Sequence, residues 1–244
     1  MSIHEVKELI GMDLVWHGVN DEINLKQFIA SDVNWGECDV RNGGGVMVLR
    51  HDKYRVEPKL HAWEPDEILL DRFLDLCASS FKNIKIDLKH GGKLIKSVLS
   101  NLMFYKFNRI WINGSPENIT REEIKVISDE TPKNTIITYQ MDYLCDDIVN
   151  NKDKALREIQ GLVDIGVNRF SFDFGSDNVY DAIKFLKELG YETNIYNLPN
   201  YEALLEAAKI RPTSLTTDFN FPHLGYFGRG SGENSNFHRY ELVG

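Results

Sequence analysis

The sequence has few cysteines and no long apolar run, and both shortages narrow the class of protein. Its three cysteines, Cys38, Cys77 and Cys145, are odd in number and lack metal-binding spacing, which favours a reducing, cytoplasmic location. No apolar segment approaches the roughly 18 residues of a membrane span. The amino terminus lacks the basic and apolar regions of a signal peptide. We therefore expect a folded cytoplasmic protein without a membrane span.

Positive charge is also scarce. The 244 residues include 28 Lys and Arg against 37 Asp and Glu, which gives a formal net charge of −9. A nucleic-acid-binding protein normally presents a net basic face, so this balance argues against a nucleic-acid partner. We therefore expect the ligand of this protein to be a small molecule.

Eight short runs rich in β-branched and aromatic residues alternate with segments of helical periodicity. The predicted strands are Asp13–Val19, Trp35–Val40, Asn83–Lys89, Arg109–Asn113, Thr135–Met141, Arg169–Phe174, Thr193–Asn197 and Ser214–Asn220. The clearest predicted helices are Asp66–Cys77, Lys152–Val163, Asp177–Gly190 and Asn200–Ile210. Units of about 30 residues predict one (β/α)8 TIM-barrel domain over residues 1–244.

A short strand-like piece, Val46–His51, follows the turn Gly43–Gly45 and predicts a small hairpin arm after the second strand. The structural alternative is a doubly wound open sheet. No glycine-rich phosphate loop follows the first strand to support that alternative.

Alternation within the strands predicts a polar mouth on the barrel. In Asn83–Lys89 the apolar residues alternate with Lys85, Asp87 and Lys89, so these three side chains should face inward. His17, Glu37, Asp39 and His51 also lie near strand ends. The active sites of such barrels lie at the carboxyl ends of the strands.

These residue types suggest metal-assisted acid–base chemistry. Three converging carboxylates repel one another unless a cation intervenes, and oxygen ligands suit a hard cation such as Mg²⁺ or Ca²⁺. Two imidazoles beside the ion could act as general base and general acid. Lys89 could neutralise an anionic phosphoryl oxygen.

Several strings carry a family resemblance. They are Trp16–Asn20, Gly36–Val40, Leu49–Asp52, Ile84–Lys89 and Thr216–Asp218. Together they resemble the barrel of the glycerophosphodiester phosphodiesterases and of their relatives, the sphingomyelinase D-like phospholipases. The strings WHGVN, KIDLK and TTD look especially like those of the menorin family. Glycerophosphodiester phosphodiesterases often have Arg where this chain has Gly18, so we expect the phosphate contacts to differ.

The resemblance implies a phosphodiesterase acting on a small or lipid-derived phosphodiester. It implies His17 and His51 as the acid–base pair, Glu37, Asp39 and Asp87 as ligands of one Mg²⁺ or Ca²⁺, and Lys89 as a phosphate contact. The nucleophile would be a neighbouring substrate hydroxyl, which gives a cyclic phosphate, or water. Further candidate substrate-binding residues are Lys85, Asn113, Gln140, Asp173, Tyr196 and Asp218.

Two other functions remain open from the residues. One is a non-catalytic barrel that binds a phosphorylated or sugar ligand, since a fold does not guarantee turnover. The other is a different metal-dependent barrel enzyme, such as a sugar isomerase. The glycine-rich tail Pro222–Gly232 could also form a lid over the mouth.

Overall fold

The computed structural model describes residues 7–54 and 67–219, and its centre is a closed barrel. Its strands are β1 (Asp13–Trp16), β2 (Trp35–Asn42), β3 (Met47–Leu49), β4 (Asn83–Leu88), β5 (Ile110–Gly114), β6 (Ile136–Gln140), β7 (Arg169–Asp173), β8 (Glu192–Leu198) and β9 (Ser214–Thr217). Eight strands pair in parallel, and β1 closes the circle by pairing with both β9 and β2. β3 pairs antiparallel with β2 outside the circle. The predicted TIM barrel with its hairpin arm is confirmed.

The helices surround the barrel between consecutive parallel strands. They are α1 (Glu22–Ala30), α2 (Leu70–Ser79), α3 (Lys93–Leu102), α4 (Arg121–Glu130), α5 (Cys145–Asn150), α6 (Lys152–Asp164), α7 (Val179–Glu188) and α8 (Tyr201–Ala208). Local capping defines several ends: Asp21 accepts hydrogen bonds from the first turn of α1, and Thr120 and Glu123 form a capping box at α4. Among the described residues, no helix is long and apolar enough to cross a bilayer.

Two predicted boundaries need correction, and one predicted segment lies outside the described residues. The first strand ends at Trp16 rather than Val19, because Gly18 adopts a positive φ of 73° that turns the chain out of the sheet. α2 begins at Leu70, later than the predicted Asp66. The proposed lid, Pro222–Gly232, lies outside the described residues.

The barrel separates two apolar layers. The outward side chains of the strands, such as Ile84, Ile86 and Leu88, pack in the large core beneath the helices, as the alternation predicts. A second, smaller cluster fills the lower barrel interior and consists of Val15, Trp35, Trp111 and Ile136. Polar side chains occupy the interior above this cluster, toward the carboxyl ends of the strands. The floor of the mouth is therefore apolar and its walls are polar.

The approach of α1 to β2 gives a test of this packing. A Cβ at Gly36 would lie 2.5 Å from a ring atom of Phe28, which is fully buried and packs edge-on against Trp16. We expect Gly36→Ala to lower the free energy of unfolding by about 1–3 kcal/mol, the usual cost of overpacking a core. Urea denaturation measures the change.

The matched control is Gly161→Ala in α6, where the nearest atom to an added Cβ is 3.8 Å away in the Arg121 side chain. This variant should be neutral or gain up to about 1 kcal/mol, because alanine favours helix over glycine. Equal effects of the two substitutions would contradict the packing account.

Candidate active site

Three carboxylates converge at the mouth, on the neighbouring strands β2 and β4. The parallel register places Glu37 beside Lys85 and Asp39 beside Asp87. One oxygen from each of Glu37, Asp39 and Asp87 lies within 4.8 Å of the others, and all three residues are buried. We call this group the carboxylate cluster. The structure therefore brings together the residues that the resemblance implies as metal ligands.

Two lysines accompany the cluster. Lys89 Nζ lies 2.6 Å from Asp39 Oδ1 and 2.5 Å from Asp87 Oδ2, so it bridges the two strands. Lys85 lies deeper, with Nζ 4.7 Å from the centre of the Trp111 ring and 3.4 Å from Thr216 Oγ1. Lys85 is thus beneath the cluster and rests on the apolar floor.

Neutral donors hold the remaining carboxylate oxygens in place. Asn20 Nδ2 donates to Asp39 Oδ2 at 2.5 Å, and the backbone N–H of Gly18 donates to Glu37 Oε2 at 2.7 Å. Asn113 Nδ2 donates to Asp87 Oδ1 at 2.7 Å, while its side-chain oxygen, Oδ1, accepts from the Thr138 hydroxyl. Asn113 was predicted to contact substrate. In the structure both ends of its amide position the cluster.

Burial and neighbouring charges displace the pKa values of these groups in opposite directions. Burial raises the pKa of Glu37. The charges of Asp39 and Asp87 raise this pKa further, whereas His17 and Lys85 act to lower it. Burial also opposes ionisation of Asp39, but Lys89, His51 and His17 outweigh it and hold that pKa well below its usual range. For Lys89, the carboxylates outweigh desolvation and raise the pKa above its usual range. Glu37 is the carboxylate whose charge is least compensated.

His17 follows β1 directly and faces the cluster from one side. Its Nδ1 donates to Asp218 Oδ1 at 2.5 Å, and its Nε2 lies 3.7 Å from Glu37 Oε2. Because a carboxylate only accepts, Asp218 places the proton on Nδ1 and fixes the direction of Nε2. Asp218 was predicted to contact substrate, and the structure shows that it orients His17.

His51 follows β3 and has a similar arrangement. Its Nδ1 donates to Asp52 Oδ1 at 2.7 Å, and its side chain is 29% exposed against 9% for His17. Arg41 donates to the His51 carbonyl through Nε at 3.1 Å and Nη2 at 2.6 Å. Each histidine therefore has one ring nitrogen held by an aspartate, and His51 lies on the more open side.

The opposite side of the mouth, from β6 to β8, is built around two aspartates. Tyr196 Oη donates to Asp142 Oδ2 at 2.6 Å, and burial together with Asp142 raises the pKa of Tyr196. Asp173 accepts from the Asn197 side chain and from the Gly175 backbone. Two of the predicted substrate contacts, Tyr196 and Asp173, are thus engaged within the protein.

Gln140 differs from those two residues. It is half-buried at the end of β6, and its amide has no hydrogen-bond partner within residues 7–54 and 67–219. Both ends of this amide remain available to a ligand.

Sequence reasoning missed four residues of the mouth: Asn20, Arg41, Asp52 and Asp142. A signal existed for Arg41, which continues the inward alternation of Glu37 and Asp39 along β2. Asn20 lies within the WHGVN string, but nothing in that string indicates that its amide reaches Asp39. Asp52 and Asp142 each follow a strand end, where a polar residue is too common to be informative.

The chemistry of the cluster fits a hard divalent cation. Oxygens that bind one ion at about 2.0–2.6 Å lie at most about 4–5 Å apart, and the three carboxylates meet that spacing within 4.8 Å. The three carboxylates carry three negative charges and the two lysine ammonium groups carry two positive charges, so one negative charge is left without a counter-charge in this group. A buried excess of charge is costly unless it is paired, and a cation would pair it.

The fold is similar to that of several solved barrels. A phosphodiesterase from Oleispira antarctica, solved with the product sn-glycerol-3-phosphate, matches with a TM-score of 0.65 at 11% identity over 84% of this chain and 92% of its own. A glycerophosphodiester phosphodiesterase from Agrobacterium tumefaciens matches with a TM-score of 0.60 at 14% identity, over 85% of this chain and 96% of its own.

An enzyme of different chemistry has the same fold. The N-(5′-phosphoribosyl)anthranilate isomerase of Pyrococcus furiosus matches with a TM-score of 0.54 at 9% identity, over 84% of this chain and 87% of its own. No family model matches the sequence, and no curated protein is significantly similar to it. At these identities the comparisons establish the fold, and the argument for function rests on the side chains of the mouth.

The raised pKa of Glu37 allows the electrostatics of the metal-free carboxylate cluster to be tested. A group whose folded pKa is raised contributes stability below its unfolded pKa, here 4.5, and this contribution is lost as the pH rises through the folded pKa. In the presence of chelator, Glu37→Gln should therefore be more stable than the wild type at pH 8, with the difference vanishing near pH 4. Urea denaturation at the two pH values measures this.

Glu22→Gln is the control, because Glu22 lies on the protein surface and Arg72 lowers its pKa. That substitution should not stabilise the protein at pH 8. A Glu37→Gln variant that is less stable than the wild type at pH 8 would show that the cluster is compensated without a cation.

Proposed function

We propose that this protein is a metal-dependent phosphodiesterase that cleaves a small or lipid-derived phosphodiester by general acid–base catalysis with two histidines. The observation that carries the proposal is the combination at one mouth of the carboxylate cluster with two histidines, each oriented by an aspartate through Nδ1. We take residues 1–244 as one such barrel domain. A cytoplasmic location and the likeness to the menorin family and the sphingomyelinase D-like phospholipases stay predictions.

Glu37, Asp39 and Asp87 would hold one Mg²⁺ or Ca²⁺. When bound, such an ion polarises a phosphoryl oxygen and offsets its charge. The carboxylate cluster and its two lysines together carry a net charge of −1, and a bound divalent ion would change this net charge to +1. A net charge of +1 complements the single negative charge of a phosphodiester. Lys89, at the edge of the cluster, would contact a phosphoryl oxygen as the sequence predicts.

The histidines would divide the proton transfers. One accepts a proton from the nucleophile at Nε2, and the other donates a proton to the leaving alkoxide. Asp218 and Asp52 hold the rings so that Nε2 is the reacting nitrogen in both cases. The nucleophile is a neighbouring substrate hydroxyl, which gives a cyclic phosphate, or water. Gln140, with its available amide, would hold a hydroxyl of the substrate. Lys85, Asp173 and Tyr196 would form the part of the wall that lies behind the residues in contact with the substrate.

One observation favours a second candidate function, a non-catalytic barrel that binds a phosphorylated or sugar ligand. Lys89 already pairs with both Asp39 and Asp87 and offsets part of their charge, so the cluster can persist without an ion. Such a protein would keep the mouth as a binding surface and have no use for the histidine orientation. Turnover measurements on the histidine variants separate the two functions.

Metal binding is tested by Asp39→Asn, which removes one ligand charge with little change of volume. Substitutions of outer-shell partners cost about 10–100-fold in metal affinity, so loss of a direct ligand should cost at least about tenfold. Isothermal titration with Mg²⁺ and with Ca²⁺ measures the loss. The control is Asp71→Asn on the surface of α2, which should leave the affinity unchanged. Equal affinities of Asp39→Asn and the wild type would rule out the ligand assignment.

Catalysis is tested by His17→Asn and His51→Asn. Positioned proton transfer contributes about 10²–10⁴-fold, so each variant should lose about that factor in turnover. The double variant should not lose the product of the two factors, because residues that act as a unit are non-additive. The assay is ³¹P NMR of a panel of glycerophosphodiesters with Mg²⁺, with Ca²⁺ and with chelator. A structural role would instead reduce the melting temperature and leave the activity per folded molecule intact.

A further inference from the structure

A recess of about 480 Å³ opens beside the carboxylate cluster. Its lining includes Arg41, Lys53, Lys89, His90 and Glu117. Lys89 joins the recess to the cluster, because its ammonium group contacts both Asp39 and Asp87. The volume lies within the roughly 300–1,000 Å³ of small-molecule sites. The recess can therefore hold part of a ligand whose other part lies at the cluster.

Arg41 supplies the central charge of the recess. It continues the inward row of Glu37 and Asp39 along β2, and burial lowers the pKa of its guanidinium group. Its Nε and Nη2 donate to the His51 carbonyl, and no carboxylate among the described residues forms an ion pair with it. Asp39, Asp52 and Asp87 favour the charged guanidinium group without forming an ion pair with it, and burial outweighs them, so an anion bound in the recess would stabilise this cation further.

The other groups of the recess leave a positive balance. Lys53 is exposed and forms no ion pair within residues 7–54 and 67–219, and Glu117 is the acidic group that opposes it. His90 adds no charge, because its Nε2 accepts the backbone N–H of Asn42. Apart from Lys89, which is paired with the cluster, Arg41 and Lys53 are two cations against one carboxylate, in a chain whose formal net charge is −9.

We propose that this recess binds a second anionic group of the substrate, a phosphate or carboxylate carried on one alcohol of the diester, while the diester phosphorus lies at the carboxylate cluster. The inference rests on the proposed function and narrows its substrate class to diesters with an additional negative charge.

The experiment compares three ligands by isothermal titration at saturating Ca²⁺: glycerol 3-phosphate, glycerol 1,3-bisphosphate and 3-phosphoglycerate. Glycerol 1,3-bisphosphate has a second phosphate, and 3-phosphoglycerate has a carboxylate in place of the terminal hydroxymethyl group of glycerol 3-phosphate. None of the three contains a diester that could turn over. We expect at least one of the two probes with a second anionic group to bind tighter than glycerol 3-phosphate by about tenfold, the value of one charge-assisted contact. The probe that gains more identifies the anion.

Charge variants assign the preference to the recess. Lys53→Gln should reduce the preference ratio by roughly two- to fivefold, as for an exposed ion pair, and Glu117→Gln should raise it by a similar factor. Lys93→Gln is the matched control, since Lys93 is exposed at the start of α3 and does not line the recess. Its ratio should equal that of the wild type.

The outcomes separate this inference from the function on which it rests. If glycerol 3-phosphate binds and neither added anion strengthens binding, the recess proposal is wrong and the phosphate site survives. If the preference exists but Lys53→Gln and Glu117→Gln match Lys93→Gln, the anion binds elsewhere and the proposal is again wrong. If no probe binds, both the recess and the phosphate site are overturned.

Discussion

The mouth of this barrel depends on one constraint, the burial of three carboxylates on two adjacent parallel strands. Strand register places Glu37 beside Lys85 and Asp39 beside Asp87, so one pair has opposite charges and the other has like charges. Lys89 then ties the two strands together. The neighbouring donors follow from this arrangement, because Asn20, Gly18 and Asn113 each satisfy a carboxylate oxygen that would otherwise be buried without a partner.

The barrel interior is graded in polarity, and the gradient makes the charged mouth possible. At the base, Arg169 is buried with Asp13 and Glu192 as ion-pair partners. Above them Trp35 and Trp111 pack edge to face and fill the cross-section. Lys85 lies over the Trp111 ring, and burial lowers the pKa of its ammonium group although the π face below and the carboxylates above favour its charge. The apolar layer keeps the two charged layers apart.

The sequence was sufficient for the fold and for the carboxylate cluster, because both follow from short-range patterns. The period-two alternation in β4 identified which side chains face inward, and the spacing of strands and helices identified the barrel. Partnerships between distant residues were not readable in this way. His17 and Asp218 are 201 positions apart, and only closure of the barrel through β1 and β9 brings them together. The same limit applies to the Asn113 amide, whose two contacts come from different strands.

The contact between His17 and Asp218 has a consequence for the order in which the site is assembled. The three carboxylates of the cluster lie on β2 and β4, within the first ninety residues, whereas the orientation of His17 needs the last strand. A chain emerging from the ribosome would expose all three carboxylates of the cluster well before Asp218, the partner of His17, is synthesised. Local opening of the seam between β1 and β9 would likewise release the imidazole and leave the cluster intact. The orientation of the His17 ring in this molecule therefore depends on closure of the barrel.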